Sequence, residues 1–341
     1  MAIKGLNVVT LADVAKDKNY GEGDVAEVLV QYNSMNNDIP YVEMNMGTYH
    51  IEPIRSALPD VWYVKANQAI PPTKTGIEER NFVAAHFGSK SEIAKMVAER
   101  GGMDRVSFRR WSEAQAHIQS HAIEQAELMI YGSPVDNNQK VAGFMDIYST
   151  LDPDEETSKQ IIDAGGTGSS LHSILLISWG MESIFGVYPA GSRAGLKRED
   201  HGLQQILRPL INNPSQMGHT MGYVEEFSVD HGLVVKDFRQ AVRIANIDPS
   251  ALKSGSGAAD LIDLMIDAMY KLDSLENGKP VFYMNRTLMA HLDKQSRKEV
   301  GAAGGLTYSD YQGKPVLTFR GIPIRRADAM NRFEEQVVDP S

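Results

Sequence analysis

Residues 112–131, SEAQAHIQSHAIEQAELMIY, constrain the fold more than any other stretch. Trp111, Ala114, Ile118, Ala122, Ala126 and Met129 recur every three or four residues, which lays one apolar stripe along an α-helix. Ser112 and Gln115 have the spacing of a capping box, and Gly132 stands where a helix would stop. A helix of about twenty residues is a rod about 30 Å long. Such a rod serves as the backbone of an elongated domain.

A second amphipathic helix is predicted over 257–276, with Ala258, Leu261, Met265, Ala268, Met269 and Leu272 in register. The sequence GKPVFYMNRTLMAHLDK, residues 278–294, then reads as a turn, a short buried strand, an Asn and a helix; a strand pair follows over 315–326. Upstream, SILLISW, SIFGVYPA and YVEEFSVDHGLVVKDFRQAVRIANI are rich in strand-forming residues, and His231-Gly232 has the composition of a hairpin turn. Residues 136–172 read as loop, with Asp152, Asp154, Glu155 and Glu156 on a solvated surface. Near the N-terminus, Thr10 to Asp13 resembles a helix start. Residues 24–32 place Val25, Val28, Leu29 and Tyr32 on one face, and Asn36, Asn37, Asp38 and Pro40 end the pattern. The whole is an α+β chain.

Residues 61–88 predict a long hairpin. VWYVKANQ and IEERNFVAAHF are the strand-like arms, and AIPPTKTG between them supplies Pro71, Pro72 and Gly76 for an extended tip. A strand of about eleven residues rises about 35 Å. This finger is polar near its tip and cannot build a core of its own, so it needs a neighbour to lie on.

Composition narrows the function. The 341 residues are 42% hydrophobic and 23% charged, ordinary for a globular chain. No apolar run is long enough to span a bilayer, and the N-terminus does not read as a signal peptide. There is no cysteine, which removes disulfides, thiolate nucleophiles and Cys-ligated metals. A formal net charge of −10 disfavours tight nucleic-acid binding by the whole chain.

Candidate chemistry is sparse. His117 and His121 share a helix face, but Ile118 stands where a zincin has Glu, and no third ligand is evident. The run Gly165-Gly166-Thr167-Gly168-Ser169-Ser170 lacks the Lys of a phosphate-binding loop and the third Gly of a dinucleotide fingerprint. Ser192 and Ser256 do not sit in a nucleophile elbow. A metal-dependent hydrolase using His117 and His121 is the rival from another class. The expectation is a chain that is not an enzyme, with no catalytic, cofactor or metal residues and no cofactor.

Four segments in order carry a family resemblance. VWYVKANQAIPPTKTGIEERNFVAAHF is similar to an E-loop, and helix 112–131 running through IYGSP to VAGFMDIYS is similar to a spine helix and its return segment. LIDLMIDAMYKL with GKPVFYMNRTLMAHL resembles an axial-domain helix, strand, Asn and helix, and YQGKPVLTFRGIPIRRADAM resembles the strand pair that follows. Together they resemble the major capsid proteins of tailed bacteriophages, those with the HK97 fold. The resemblance implies an N-terminal arm (1–60), an E-loop hairpin (61–88), a peripheral domain with the spine helix (89–150), a loop insertion with peripheral-type strands (151–250) and an axial-type domain (251–341).

It also implies a function: self-assembly, through hexamers and pentamers, into the icosahedral shell around phage double-stranded DNA. The nearest rival with the same fold is an encapsulin-like nanocompartment shell. The implied location is the virion, after assembly in the host bacterial cytoplasm. Implied partners are further copies of the chain, a separate scaffolding protein, a portal, a cement or decoration protein and non-specifically contacted DNA, with no membrane. The E-loop tip residues Ile70, Pro71, Pro72, Thr73 and Lys74 are the expected inter-subunit contacts. Lys65 and Lys74 lie in the finger, but no motif identifies an Asn partner for a crosslink. One departure stands out. In the family's common order the peripheral strands close the chain, whereas here SILLISW through VRIANI precede the axial-like helix, as in a subgroup with permuted segment order.

Overall fold

The computed structural model describes residues 33–100, 102, 104–209, 216–254, 259–298, 306–311 and 314–339. The helices expected near Thr10 and over 24–32 lie outside the described residues. From Asn33 the chain forms a 3-10 turn (Ser34–Asn37), strands β1 (Tyr41–Glu43), β2 (Tyr49–Ala57), β3 (Gly76–Val83) and β4 (Ala85–Ala94), and helices α1 (Lys95–Ala98) and α2 (Asp104–Tyr131). Helix α3 (Phe144–Ile147) precedes strands β5 (Ile161–Asp163), β6 (His172–Trp179), β7 (Ile184–Tyr188), β8 (Gly195–Pro209), β9 (Met217–Val235) and β10 (Ala241–Ile247). Helices α4 (Pro249–Ser254) and α5 (Leu261–Lys271), strand β11 (Lys279–Met284), helix α6 (Arg286–Lys298) and strands β12 (Leu306–Tyr311), β13 (Lys314–Phe319) and β14 (Ile322–Arg326) complete the order.

Twelve of the strands join in one sheet, and β2 with β3 form a separate pair. Strand β6 is its hub, antiparallel to both β10 and β11. All eight of its residues are buried. Alternate side chains point to opposite faces. Leu175, Ile177 and Trp179 therefore join Met129, Ile130, Phe144 and Tyr148 on one side. Ile174 and Leu176 join Leu261, Met265, Leu288 and Leu292 on the other. A strand covered on both faces needs an unbroken apolar run, and SILLISW supplies it. The pairing of β6 with β11 sets strands from before and after residue 250 side by side.

The long helix carries the predicted stripe, since Trp111, Ala114, Ile118, Ala122, Ala126 and Met129 are all buried. It begins at Asp104, not at Ser112, so the expected capping box is not a cap, and Ser112 is an exposed mid-helix residue. The stripe runs further back than the box suggested because Trp111 packs on Phe227 and Val229 of β9. Arg110, one position earlier, is ion-paired with the buried Glu225 of β9. The helix stops at Gly132, whose N–H donates to Leu128 O (3.0 Å) and whose carbonyl accepts from Gly143 N (2.8 Å). A β-carbon on Gly132 would collide with the Leu128 and Val141 carbonyls.

The second predicted helix is shorter than 257–276. Asp260 caps it by accepting from the N–H groups of Ile262 and Asp263, and extended backbone at Leu272 ends it. Residues 278–294 form β11, Asn285 and the start of α6 as expected. The buried Asn285 accepts from Leu288 N (2.8 Å) as the helix cap and donates to Met330 O (3.2 Å). Strands β13 and β14 meet at Arg320 and Gly321, which have φ of 49° and 87° and suit a two-residue hairpin turn. His231 and Gly232, in contrast, form no turn. They lie inside the unbroken nineteen-residue β9, and the chain reverses after Val235 instead.

The C-terminal segment is threaded into the body. Glu334 meets Arg243 of β10 at 2.8 Å, with side chains 8% and 5% exposed, and accepts from Tyr131 OH at 3.0 Å. Asn246 exchanges two hydrogen bonds with the Val337 backbone, at 2.8 and 2.9 Å.

Candidate assembly surfaces

The finger is a hairpin, but its first arm is not VWYVKANQ. Strand β2 pairs β3 from Tyr49↔Val83 to Ala57↔Gly76, so residues 49–57 belong to the finger and not to the arm expected over 1–60. Aromatic and β-branched residues favour strands because they pack on a half-buried pleated surface. Among the described residues nothing offers residues 61–64 such a surface, and Tyr63 is 105% exposed.

The finger's root is fixed. His50 is buried edge-on against Phe185 (5.8 Å) and bonds Glu52 (3.1 Å), and Glu52 pairs with Lys236 (3.5 Å). Phe82 and Ala84 pack on Met44, Val187 and Val234. At Gly232 a β-carbon would stand 2.7 Å from Val83 O, so β9 needs glycine where the finger crosses it.

Beyond the root the finger is bare. Glu78, Glu79, Arg80 and Asn81 are exposed, and among the described residues the pair β2–β3 has no third strand. A lone two-stranded hairpin is marginal in water. The tip is organised by a turn in which Gln68 N–H donates to Lys65 O (3.1 Å) and Asn67 takes φ 74°. The expected contact residues Ile70, Pro71, Pro72, Thr73 and Lys74 are all exposed between the two strands. Sequence reasoning missed larger apolar groups beside them: Leu58, Val61, Trp62, Tyr63 and Val64 are 44–105% exposed. The signal was the VWYV run itself, read as a strand.

The histidine pair has a packing role. His117 Nδ1 and His121 Nε2 both bond Ser89 Oγ on β4, at 2.7 and 2.9 Å. The hydroxyl has one proton, so with neutral rings it donates to one nitrogen and accepts from the other. His117 stacks on Phe227 and His121 on Phe87. Burial and then the neighbouring His117 push the His121 pKa down. Among the described residues no three His, Asp or Glu side chains converge as metal ligands. The glycine-rich loop has φ of 80° at Gly165 and 105° at Gly168, and Gly168 O accepts from Gln336 N (3.0 Å). It borders the C-terminal segment. No described helix is long and apolar enough to cross a membrane.

A family model described as major capsid protein GP7 matches residues 17–338. The near-atomic cryo-EM structure of bacteriophage Epsilon15 matches at 30% identity over 99% of each chain, with a TM-score of 0.68. The bacteriophage JBD30 capsid matches at 12% identity over 88% of this chain and 91% of that one, with a TM-score of 0.47. The SrpI encapsulin of Synechococcus elongatus matches at 10% identity over 63% and 87%, with a TM-score of 0.39. No curated protein matches.

Proposed function

The chain belongs to the major capsid protein GP7 family, with an HK97-like fold, and from that premise we propose that the finger clamps adjacent copies together in the phage shell. The observation that carries this is a hairpin fixed at its root and uncovered at its tip. Ordering such a segment costs conformational entropy, which contact with a neighbour offsets. Ile70, Pro71, Pro72, Thr73 and Lys74 are proposed contact residues, with Trp62 and Tyr63 beside them. Pro71 and Pro72 stiffen the tip before contact and reduce that cost.

The five segments 1–60, 61–88, 89–150, 151–250 and 251–341 are proposed as working units, with the finger beginning earlier, at Tyr49. Assembly takes place in the host cytoplasm with a separate scaffolding protein and a portal. A cement protein adds to the outside, and the DNA inside is contacted non-specifically. The role is structural, without catalysis.

The test replaces residues 60–73 with a short Gly-Ser turn. The expected subunit melts as the parent does by circular dichroism but yields no closed particles on sedimentation or in negative stain. Normal particles from the shortened chain would remove the clamp reading.

A further inference from the structure

The glycine-rich run 165–170 matches no phosphate or dinucleotide motif, and the structure gives it another use. It borders residues 332–338, which lie in no helix and meet the sheet at one bridge only: Glu334 exchanges both backbone hydrogen bonds with Leu171, at 2.9 and 3.1 Å. Every other bond made by the backbone from Gln336 to Val338 goes to a single group of the body. Gln336 N–H donates to Gly168 O (3.0 Å), and Val338 O accepts from Leu151 N (3.2 Å). Asn246 grips the Val337 backbone by both its N–H and its C=O. The Glu334 carboxylate enters a socket made by Arg243 Nη2 (2.8 Å), Ser173 Oγ (2.5 Å) and Tyr131 OH (3.0 Å).

Two features mark this as a groove that holds a ligand. The first is that its recognition groups are fixed by the body. Arg243 Nη1 donates to Tyr148 O (2.6 Å) and Met145 O (3.4 Å), and Asn246 Nδ2 donates to Asp163 Oδ1 (2.8 Å). Both side chains therefore keep their place when the segment is gone. The glycine run shapes the floor: Gly166 N–H donates to Asn246 O (2.9 Å), and a β-carbon at Gly166 would stand 2.4 Å from that oxygen. The second feature is that the segment brings little apolar surface. Val337 is buried, but Phe333 and Val338 are 67% and 53% exposed. Its hold rests on hydrogen bonds and one ion pair, whose partners water takes over once both are freed. A segment with few buried apolar contacts opens locally while the body stays folded.

We propose that residues 332–338 are a detachable clasp, and that the groove of Leu151, the 165–170 loop, Leu171, Arg243 and Asn246 is a peptide-binding site for a Glu followed three residues later by a Val. Main-chain bonds supply affinity in such a site and side-chain sockets supply specificity. Glu334 and Val337 are the two anchors, and Glu335 between them is exposed. The clasp also carries Arg332, which pairs with Glu127 (2.8 Å) and lies over the Tyr131 ring (5.6 Å), both on α2. Closing the clasp thus ties the last turns of the long helix to the hub of the sheet, and opening it releases that tie. The groove is built from residues between 131 and 246, so it exists only after the body has folded, and the clasp closes last. The inference is independent of the finger.

The test keeps the full chain. A specific protease site is inserted between Asn331 and Arg332, both exposed, and the subunit is cut after folding. A fluorescein-labelled peptide of residues 332–339 is then added and its anisotropy followed. The labelled peptide should replace the cut segment. Glu334→Gln or Val337→Asp in the peptide should weaken binding by about tenfold or more, whereas Glu335→Gln should leave it within about twofold. Binding indifferent to Glu334 and Val337 would overturn the proposal. So would a cut segment that leaves only as the subunit unfolds by circular dichroism. Amide exchange in the uncut parent chain is a second readout that needs no insert. The amides of Glu334, Gln336 and Val337 should exchange together, about tenfold or more faster than those of β6 and β10. Exchange at the β6 and β10 rate would make the segment part of the global core and sink the clasp.

Discussion

His231 lies fully buried in β9, where its Nδ1 faces Tyr41 OH at 3.2 Å and accepts from Gln125 Nε2 at 3.4 Å. Tyr41 OH and Gln125 Oε1 both bond Asn36, so this ring holds the N-terminal turn against α2. Burial pushes the His231 pKa from 6.5 down to about 4. The unfolded chain therefore binds more protons than the folded one between those values. Stability is complete above about pH 6.5 and falls as pH drops towards about 4, by about 3 kcal/mol for this one group. Burial also lowers His121 and His172, which adds loss of the same sign. Urea unfolding of the unassembled subunit between pH 7.5 and 4.5 should show this decline, and His231→Gln should flatten it. An unchanged slope in the variant would mean that His231 is not buried neutral. A second residue-scale test concerns Glu334. Glu334→Ala strands the Arg243 guanidinium and should cost about 3–5 kcal/mol, whereas Arg243→Met with Glu334→Leu should recover most of it. A mild single variant would show that solvent reaches the pair.

At the scale of elements, what the sequence made legible depended on whether local pattern and burial agreed. The Trp111–Met129 stripe and the strand, Asn285 and helix of residues 278–294 were legible because each packs with the periodicity of its own segment. VWYV misled because β-propensity stands for a surface to pack on, and the tip has none among the described residues. His231-Gly232 misled because glycine there serves a crossing, not a turn. The C-terminal clasp had no local signal, since partners such as Glu334 and Arg243 are 91 residues apart. Two substitutions test elements. Gly232→Ala forces a β-carbon against Val83 O and Val187, so the finger root should loosen at a cost of about 1–3 kcal/mol. Limited proteolysis should then cut at residues 58–75 faster than in the parent; an unchanged cutting rate would show that the root is fixed elsewhere. Asn285→Ala removes the cap of α6 and the partner of Met330 O, and should cost about 1–3 kcal/mol. Asn285→Asp keeps the cap and should be milder; equal losses would shift the weight to the Met330 contact.

At the scale of the whole molecule, rigidity and exposure are divided by function. The body is one sheet with apolar cores on both faces of β6, locked by the C-terminal segment through the buried Glu334 and Val337. Among the described residues the finger draws on that body at its root. On the clamp proposal a shell protein uses this division, because a body that keeps its shape can present an arm whose free energy of ordering is supplied by the next copy. Amide hydrogen exchange should report it directly. In the free subunit, amides of β6 and β10 should exchange only through global unfolding. Those of residues 58–75 should exchange at nearly unprotected rates, since among them the described backbone hydrogen bonds outside strand pairing reduce to the single turn at Gln68. In assembled particles the finger amides should slow by about a hundredfold or more, while β6 and β10 change little, because about 3 kcal/mol of local ordering corresponds to that factor. Protection of the finger in the free subunit would mean that its own chain already covers it. Equal exposure in the particle would mean that the shell closes through other surfaces and leaves the finger free.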